Sequence, residues 1–399
     1  MSKIITDEKA IDEILTRGVH EVYTKEELKK KLMSGKQLHL KLGTDVTGPL
    51  LHLGHSVVHR KIRDFQELGH RVTLIIGDFT TLVGDHSDKV DKRTDTSSAE
   101  IRKNEETYKE QFFKTVKKEQ TEIRHNSEWL KKLNFNDVIH LAKQFTIGQM
   151  LDRETFMLRY KSNKPIGLDE FLYPLMQGYD SVALKCDVEF GGTDQTFNLL
   201  AGRKLTEVFG QVPQNALVMK LLTGSDGRPM GKSLKNFIPV TDNPIDMYGK
   251  IMSIVDDVLW EYFELVTRVP MSEVAEMKNA TESGKNPMMY KKRLAREIVS
   301  FYHSKDKATA AEKVFEETVQ QGGISEELTT VTEITGKMSI LDFLRNVKNG
   351  SVSSGDIKRT IEQGGVEVNG QKVTDFMQEL SFETGTMVKF GKRDFIKVK

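Results

Sequence analysis

The chain has 399 residues, 38% of them hydrophobic, and a formal net charge of +1 at pH 7. This length exceeds what one hydrophobic core usually serves, so we expect two or three domains. The balanced charge gives no general support for nucleic-acid binding, and the one cysteine excludes a disulfide within the chain. No apolar run approaches the roughly 20 residues that span a bilayer. The composition therefore predicts a cytoplasmic protein that does not enter a membrane.

The stretch from Lys41 to His55 predicts a strand end, a glycine-containing turn and the start of a helix near His52. A helix N-terminus that follows a strand presents unsatisfied N–H groups and the positive end of the helix dipole, which favour anions. Gly54 lacks the Cβ atom that would keep a nucleotide away from the backbone. His52 and His55 lie on one face of the first turn, so both imidazoles could contact one phosphate. A chance pattern and a metal pair remain alternatives, although no cluster of other metal ligands accompanies the histidines.

A second strand follows this helix and completes a βαβ unit. Residues 71–77 form a nearly continuous apolar run, which is typical of a strand buried on both faces of a parallel sheet. The segment 78–85 then lies at the carboxyl edge of the sheet, where open α/β sheets bind ligands. Beyond it, residues 88–102 are polar and mixed in charge. That composition indicates either a solvated loop or a loop that contacts phosphate.

A second polar cluster is predicted on a helix in the middle of the chain. Tyr173, Gln177 and Asp180 are spaced by four and three residues, so their side chains emerge on one helix face. Three polar groups on an otherwise apolar face are costly unless they bind a ligand or form hydrogen bonds inside the protein. A glycine pair then ends another strand and places Asp194 and Gln195 at a sheet edge. We expect a ligand-binding surface there, with an internally hydrogen-bonded helix face as the alternative.

A glycine- and proline-containing segment at residues 226–236 predicts a mobile loop. Lys232 and Ser233 give this loop a cation and a hydroxyl group, both of which suit phosphate. The segment is a poor candidate for a P-loop, because the first glycine of that motif is missing and no buried strand runs directly into it.

The remainder of the chain is mainly helical up to a polar stretch at 322–335, which predicts a linker. The last module, residues 336–399, predicts two short helices, a hairpin that turns at Asn369, and a final strand over residues 387–398. This module contains 11 Lys and Arg residues against 8 Asp and Glu residues, with the cations concentrated on its second helix and at the end of the chain. Any RNA binding must come from such a local excess of positive charge.

These blocks, in this order, resemble the bacterial tyrosyl-tRNA synthetases, which are class I aminoacyl-tRNA synthetases, over essentially the full chain. The matching features are His-Leu-Gly-His at residues 52–55, the Tyr-x-x-x-Gln-x-x-Asp helix, Gly-Gly-Thr-Asp-Gln at residues 191–195, a loop similar to Lys-Met-Ser-Lys-Ser, a helical domain, and a C-terminal module similar to the S4 RNA-binding fold. Any one of these features could be accidental, but six in order are not.

The resemblance implies an α/β fold in which a Rossmann-type parallel-sheet catalytic domain precedes an α-helical domain and a small α+β RNA-binding domain. The implied boundaries, in chain order, are residues 1–225 for the catalytic domain with an inserted dimerisation segment, 226–240 for the mobile loop, 241–321 for the helical anticodon-side domain, 322–335 for the linker and 336–399 for the S4-like domain. The implied activity joins L-tyrosine to tRNA(Tyr) in two steps, through a tyrosyl-adenylate made from ATP, in a homodimer. Mg²⁺ would arrive with ATP as a substrate complex, without a tightly bound cofactor or an all-protein metal site.

The matched motifs also imply residue roles. Those implied for tyrosine are Lys41, Asp85, Tyr173, Gln177, Asp180 and Gln195. Those implied for ATP are Gly43, Asp45, Thr47, His52, Gly54, His55, Gly192, Asp194, Met230 and Lys232. Those implied for catalysis are His52, His55, Lys89, Arg93, Lys232 and Ser233, and those implied for RNA are Lys358, Arg359 and Arg393.

The chain departs from the family pattern at Lys41, Val46, His86, Pro229 and Gly231. Lys41 stands where many members have a tyrosine on the first strand, which resembles a subgroup of bacterial enzymes with lysine at this position. In the mobile loop the first lysine is absent, so Lys232 carries the pyrophosphate role, with Arg228 as a possible compensating cation. The departures other than Lys41 leave the tyrosine pocket unchanged, so we expect an active enzyme.

Two other functions remain open at this point. A ligase of the same fold for tryptophan is disfavoured by Asp180 and by the S4-like module. A catalytically inactive paralogue that only binds RNA is suggested by the altered mobile loop and disfavoured by the presence of both histidines together with Lys232.

Overall fold

The computed structural model describes residues 3–85, 98–231, 234–320, 329–391 and 394–399. The chain divides into two compact units. Unit 1 consists of Met1–Asp242 and Lys250–Leu294, and unit 2 consists of Asn243–Gly249 and Ala295–Lys399. Within the described ranges, no helix is long and apolar enough to cross a membrane.

Unit 1 is built on a six-stranded sheet. Its strands are β1 (Val19–Tyr23), β2 (His39–Thr44), β3 (Arg71–Ile76), β4 (Thr121–His125), β5 (Val188–Gly192) and β6 (Asn215–Met219). Their order across the sheet is β1-β6-β5-β2-β3-β4. Only β1 runs antiparallel to its neighbour among these pairs, and the others are parallel. The predicted α/β class with a parallel sheet is confirmed.

Helices precede, connect and follow these strands. Those up to the last strand of the sheet are α1 (Glu8–Ile14), α2 (Lys25–Met33), α3 (Leu53–Glu67), α4 (Ser98–Phe112), α5 (Ser127–Leu130), α6 (Phe135–Ala142), α7 (Ile147–Leu151), α8 (Glu154–Lys161), α9 (Tyr173–Leu184) and α10 (Thr196–Val208). The predicted helical region then contains α11 (Pro244–Met252), α12 (Leu259–Val266), α13 (Met271–Glu282), α14 (Met288–Tyr302) and α15 (Lys305–Phe315).

The centre of the sheet contains the predicted βαβ unit, formed by β2, α3 and β3. Strand β2 pairs with β3 on one side and with β5 on the other, so the strand order reverses between β2 and β5. At such a switch point the connections that leave the two strands diverge and open a crevice at their carboxyl ends. The residues that follow β2 and β5 therefore flank one crevice.

Helix α3 begins at Leu53 with His52 as its N-cap residue, which is where the sequence predicted the helix to start. Its buried apolar residues include Val57, Ile62 and Phe65, and the helix packs on β3 and β5. Because α3 follows the carboxyl end of β2, its N-terminus lies at the edge of the sheet where the crevice opens.

Unit 2 contains a small α+β module that begins at Thr329. Its elements are β7 (Thr329–Thr332), β8 (Gly336–Ser339), α16 (Ile340–Lys348), α17 (Ser354–Glu362), β9 (Val366–Val368), β10 (Gln371–Val373), β11 (Glu379–Phe382), β12 (Met387–Phe390) and β13 (Asp394–Val398). Five strands form one sheet in the order β10-β9-β12-β13-β7, and β11 pairs with β8. In its core the rings of Phe343 and Phe382 stack with centroids 3.9 Å apart.

The last segment of this module differs from its prediction. The sequence predicted one strand over residues 387–398, but the chain forms two antiparallel strands, β12 and β13, with Phe390 opposite Asp394. Gly391 follows β12 with φ of +70°, a conformation that glycine adopts without a Cβ clash. The apolar residues stop at Phe390 and resume at Phe395, and the four polar residues between them, 391–394, are the turn signal that the prediction overlooked.

Candidate active site

Asp45 joins three segments at the carboxyl edge of the sheet. It follows β2, and its Oδ1 atom accepts a hydrogen bond from Thr80 Oγ1, in the segment after β3, at 2.7 Å. Its Oδ2 atom accepts a hydrogen bond from the Tyr173 hydroxyl group, at the start of α9, at 3.0 Å. Gly77 permits this approach, because a Cβ atom there would lie 2.1 Å from Asp45 Oδ1. The first and second polar blocks of the sequence thus meet at one carboxylate.

Burial changes the ionisation of this pair. It raises the pKa of Asp45 to about 7, although the hydrogen bonds from Thr80 and Tyr173 act in the opposite direction. The pKa of Tyr173 is raised well above its usual value, chiefly by burial and then by the charges of Asp45 and Asp85. A positively charged ligand group would favour the ionised form of Asp45. The edge of the sheet is therefore suited to a cation such as an ammonium group.

Asp85 forms a second junction at this edge. Its carboxylate pairs with the guanidinium group of Arg153, a buried residue. It also accepts a hydrogen bond from Gln195 Nε2 at 2.9 Å. The Gln195 side chain is fixed in turn, because its Oε1 atom accepts a hydrogen bond from Asn198 Nδ2 at 2.9 Å. Asp85 and Gln195, both predicted to contact tyrosine, therefore lie together although 110 residues separate them in the sequence.

Lys41 is fully buried and bonds to groups on α9 and β5. Its Nζ atom donates hydrogen bonds to Glu189 Oε1 at 2.8 Å, to Ser181 Oγ at 2.7 Å and to the Gln177 carbonyl oxygen at 3.2 Å. Burial alone would lower the pKa of Lys41, but the charges of Glu189 and then Asp180 hold it above its usual value. Lys41 thus ties β2 to the helix that carries the predicted tyrosine-binding side chains.

Asp180 lies on the third turn of α9 and is 3% exposed. Its Oδ1 atom accepts a hydrogen bond from Trp129 Nε1 at 2.7 Å. Burial raises its pKa to about 7, while the charge of Lys41 and the hydrogen bonds from Trp129 and Asn126 oppose that rise. A further hydrogen-bond donor, such as a phenol, would favour the ionised form of this carboxyl group.

The N-terminus of α3 lies against the loop that contains Met230. The ring centroids of His52 and His55 are 3.9 Å apart, so the two imidazoles are neighbours, as their spacing predicted. A Cβ atom on Gly54 would lie 3.0 Å from the Met230 sulfur and equally close to the His52 ring. After the loop, the Ile238 carbonyl oxygen accepts a hydrogen bond from the first backbone amide of α3 at 3.0 Å. The third polar block of the sequence is therefore in contact with the first.

The other predicted ATP-binding positions lie on the same edge. Gly43 and Thr47 are exposed on the segment that ends and follows β2. Gly192 ends β5, and a Cβ atom there would lie 2.5 Å from Asp194 Oδ1. Glycine at this position therefore lets Asp194 approach the backbone closely.

Two of the predicted RNA-binding residues lie on α17 in unit 2. Arg359 pairs with Asp356, and Lys358 Nζ lies 4.7 Å from the centroid of the Phe376 ring. The predicted residues that fall outside the described part of the chain are Lys89, Arg93, Lys232, Ser233 and Arg393.

Trp129, Arg153 and Glu189 are among the residues that contact the predicted site and that sequence reasoning missed. A signal for Glu189 existed, because a charged residue inside an apolar strand is costly unless it has a partner. Trp129 and Arg153 have no comparable local signal, since they lie in polar helical segments whose partners are distant in the sequence.

Comparison with known proteins identifies the family. Residues 33–320 match the family model for class I tRNA synthetases (W and Y). A tyrosine–tRNA ligase of Dehalococcoides mccartyi is 45% identical over 393 residues, with 98% of each chain covered. A tyrosine–tRNA ligase of Carboxydothermus hydrogenoformans is 47% identical over 398 residues, with 97% of each chain covered. The chain belongs to the tyrosine–tRNA ligase family.

Membership of the tyrosine–tRNA ligase family decides between the functions that the sequence left open. The full-length relatives are tyrosine–tRNA ligases, so the chain has this activity and the tryptophan alternative is set aside. Among solved structures, the tyrosyl-tRNA synthetase of Archaeoglobus fulgidus in complex with L-tyrosine superposes with a TM-score of 0.63 at 20% identity. That comparison covers 77% of this chain and 100% of the other, and it supports the fold alone.

Proposed function

We propose that the crevice between β2 and β5 is where this ligase activates L-tyrosine with ATP, forming tyrosyl-adenylate and pyrophosphate before transfer of tyrosine to tRNA(Tyr). The observation that carries the proposal is the pair of junctions at the carboxyl edge, in which Asp45 bonds Tyr173 and Asp85 bonds Gln195. They bring polar groups from separate segments together at the switch point of the sheet, where α/β proteins bind their ligands.

The tyrosine side chain enters toward Asp180, whose carboxylate accepts a hydrogen bond from the phenol. Phenylalanine lacks this donor, so its binding removes water from the buried carboxylate without replacing that hydrogen bond, and the pocket rejects it; tyrosyl-tRNA synthetases are the usual illustration of this effect. The groups assigned to the tyrosine ammonium are Asp85, Tyr173 and Gln177, and Gln195 faces the carboxylate that attacks ATP. Lys41 acts at the same pocket through its bonds to α9.

ATP lies along the turn after β2, the start of α3 and the end of β5. The residues assigned to it are Gly43, Asp45, Thr47, His52, Gly54, His55, Gly192, Asp194, Met230 and Lys232. The N-terminus of α3 offers backbone N–H groups and the positive end of the helix dipole to the phosphates. Mg²⁺ accompanies the triphosphate and is not held by an all-protein cage.

The chemistry requires neither a nucleophile nor a general base from the protein. The tyrosine carboxylate attacks the α-phosphorus in line, and pyrophosphate leaves with the developing negative charge. The protein positions the two substrates and stabilises that charge. His52, His55, Lys89, Arg93, Lys232 and Ser233 are the groups assigned to this task.

Transfer to tRNA uses the regions that follow the catalytic part of the chain. The helical segment 241–321 faces the anticodon side of tRNA, and the module at 336–399 grips its backbone through Lys358, Arg359 and Arg393. Recognition of this kind depends on phosphate contacts and RNA shape more than on base edges.

The ligase acts as a cytoplasmic homodimer. Large apolar side chains are exposed along the helical segment between β4 and α9, with Phe135 at 79%, Ile147 at 72% and Leu168 at 81% exposure. Exposed apolar residues grouped in one segment mark an interaction surface, and a second copy of the chain is the partner that covers it.

The test of the activation step is ATP–pyrophosphate exchange with tyrosine, tryptophan and phenylalanine as separate substrates. We expect exchange to depend on tyrosine, with tryptophan and phenylalanine near background. Exchange that is absent with all three, in a preparation that still binds tRNA, would favour the inactive RNA-binding alternative. Sedimentation of the same preparation tests the homodimer.

A further inference from the structure

Asn236 connects both ends of the loop that reaches the N-terminus of α3. It is buried, at 4% exposure. Its Nδ2 atom donates hydrogen bonds to Asp226 Oδ1 at 2.8 Å and to the Pro229 carbonyl oxygen at 3.1 Å. Its Oδ1 atom accepts a hydrogen bond from the Gly231 amide at 2.9 Å. The Asn236 side chain thus bonds to Asp226 near the start of the loop and to the two residues on either side of Met230.

The backbone supports the same arrangement. The Asn236 carbonyl oxygen accepts a hydrogen bond from the Ser225 amide at 2.9 Å, and Gly224 bonds the Arg228 carbonyl oxygen at 2.8 Å. A Cβ atom on Gly224 would lie 2.2 Å from Asn236 Nδ2, so glycine is required beside the asparagine amide. The two ends of the loop are therefore joined by hydrogen bonds of a buried side chain as well as by backbone hydrogen bonds.

The base of the loop is anchored separately, on α12. Glu261 accepts hydrogen bonds from the Thr223 amide at 2.6 Å and from its hydroxyl group at 2.9 Å. The Tyr262 hydroxyl group donates to the Thr223 carbonyl oxygen at 3.0 Å. Because the base is fixed independently, loss of the Asn236 contacts would release the Met230 end of the loop without unfolding α12.

The cation expected to compensate for the missing first lysine is already engaged. Arg228 donates from Nε to Asp226 Oδ2 at 2.8 Å, and its Nη2 atom bonds the same oxygen at 2.5 Å. Asp226 therefore accepts from both Arg228 and Asn236, and these bonds lower its pKa to about 2, with the Asn236 bond the largest cause. Arg228 acts here as part of the loop closure.

We propose that Asn236 is a positioning residue for adenylate formation, which holds Met230 and Gly231 against the N-terminus of α3. This inference rests on the proposed function of that helix terminus as the ATP site. Lys232 follows Gly231 in the sequence, so fixing Gly231 limits where the ammonium group assigned to pyrophosphate can reach. Small errors in the placement of such a group reduce the rate of a positioned reaction steeply.

The decisive experiment compares the parent enzyme with Asn236→Ala in single-turnover formation of tyrosyl-adenylate and in equilibrium binding of tyrosine. We expect the rate constant at saturating ATP to fall about 10- to 100-fold, while the dissociation constant of tyrosine changes less than twofold. The matched control is Asn286→Ala, which removes an exposed asparagine that accepts one backbone hydrogen bond at the start of α14. Its rate should equal that of the parent.

A charge exchange separates positioning from a general loss of stability. Asn236→Asp places a second carboxylate where the amide lies 2.8 Å from Asp226, so it should reduce the rate more than Asn236→Ala does. Adding Asp226→Asn removes this repulsion and offers an amide donor from the other side, and it should restore part of the rate. A double variant slower than both single variants would overturn the proposal, as would a rate for Asn236→Ala within twofold of the parent.

Limited trypsin digestion gives a measure that does not depend on activity. We expect faster cleavage of the Lys232–Ser233 bond in Asn236→Ala than in the parent or in Asn286→Ala, measured by mass spectrometry. Equal cleavage rates would contradict the role of Asn236 even in a fully active enzyme. Faster cleavage in a preparation without tyrosine-dependent exchange would support the loop contact and leave only the proposed function in error.

Discussion

The two halves of the crevice are constructed differently. On the tyrosine side, the charged groups are buried and bonded to other side chains of the chain: Lys41, Asp180 and Glu189 have at most 3% exposure. On the ATP side, the assigned groups include three glycines, of which Gly43 is exposed and Gly54 and Gly192 are half-buried, together with a helix N-terminus and a loop closed by Asn236. The tyrosine side chain is small and uncharged, and buried polar groups that are already in place select it. The triphosphate moves during the reaction, and backbone N–H groups and a loop contact it. The predictions below test this contrast, in order of decreasing effect.

Breaking the buried pair on the tyrosine side should have the largest effect. Glu189→Gln leaves the Lys41 ammonium group buried without a carboxylate and should lower the free energy of unfolding by about 3–5 kcal/mol. The matched control is Glu8→Gln, which breaks an exposed contact with Lys29 and should leave the free energy of unfolding close to that of the parent. Urea denaturation followed by tryptophan fluorescence measures both.

A double substitution sharpens this test. Lys41→Met with Glu189→Leu replaces both charges by apolar groups, and it should recover most of the stability lost in Glu189→Gln. It should not recover tyrosine binding, because the bonds from Lys41 to α9 are gone. If Glu189→Gln were as stable as the parent, the buried pair would not be the tie between β2, β5 and α9.

Removing the phenol acceptor should affect selectivity without a comparable loss of stability. Asp180→Asn should lower kcat/KM for tyrosine in pyrophosphate exchange by roughly 10- to 200-fold, which corresponds to one hydrogen bond to a charged group. Phenylalanine, which lacks the donor, should be much less affected, so the discrimination between the two amino acids falls. Asp306→Asn, on the exposed first turn of α15, is the control. Unchanged discrimination would show that the phenol lies elsewhere.

The pH dependence of tyrosine binding follows from the same carboxyl group. In the free protein the pKa of Asp180 is about 7, and the phenol donor favours the ionised form, so binding lowers this pKa. The affinity for tyrosine should therefore be full above pH 7 and should weaken as the pH falls below it, by up to about tenfold per unit. Calorimetric titration between pH 5.5 and 8 should also detect proton release near pH 6.5. The slope should be smaller in Asp180→Asn, and an identical slope would assign the titration to another group such as Asp45.

A change on the ATP side should have the smallest effect, because the loop can adjust. Gly54→Ala places a methyl group 3.0 Å from the Met230 sulfur and the His52 ring, so these groups must shift. We expect kcat for pyrophosphate exchange to fall about 3- to 10-fold with no change in tyrosine affinity. Gly355→Ala is the control, since a Cβ atom there meets no atom closer than 3.9 Å. A loss of tyrosine affinity in Gly54→Ala would contradict the assignment of Gly54 to the ATP side of the crevice.

The sequence predicted those parts of the site that follow from local pattern. Short sequence patterns predicted the start of α3 at His52, the polar face of α9 and the ends of β2 and β5. Each pattern lies within a few residues, because glycine positions, helical spacing and strand length are properties of the local sequence. The predicted fold class followed from the same signals. The final hairpin was missed because the polar residues 391–394 were counted as part of one long strand, although a glycine followed by three charged residues is a local turn signal.

The remaining contacts depend on tertiary structure. Arg153 meets Asp85 across 68 residues of sequence, and Glu189 meets Lys41 across 148. Lys41 was correctly placed on the strand before the glycine-containing turn, which is β2, but its partners could not be found without the register that sets β2 beside β5. The role of Asn236 could not be predicted for a related reason. An asparagine in a polar loop has the same sequence pattern whether its side chain bonds across the loop or is exposed to solvent.

The carboxyl group of Asp45 has one oxygen on Thr80 and the other on Tyr173, a residue assigned to the opposite substrate. A tyrosine molecule that bonds the Tyr173 hydroxyl group alters the hydrogen bonding of a group assigned to ATP. Occupation of either subsite should then change the affinity of the other, and thermodynamic linkage requires the same factor in both directions. Tyrosine that binds before ATP would therefore change the affinity of the enzyme for ATP.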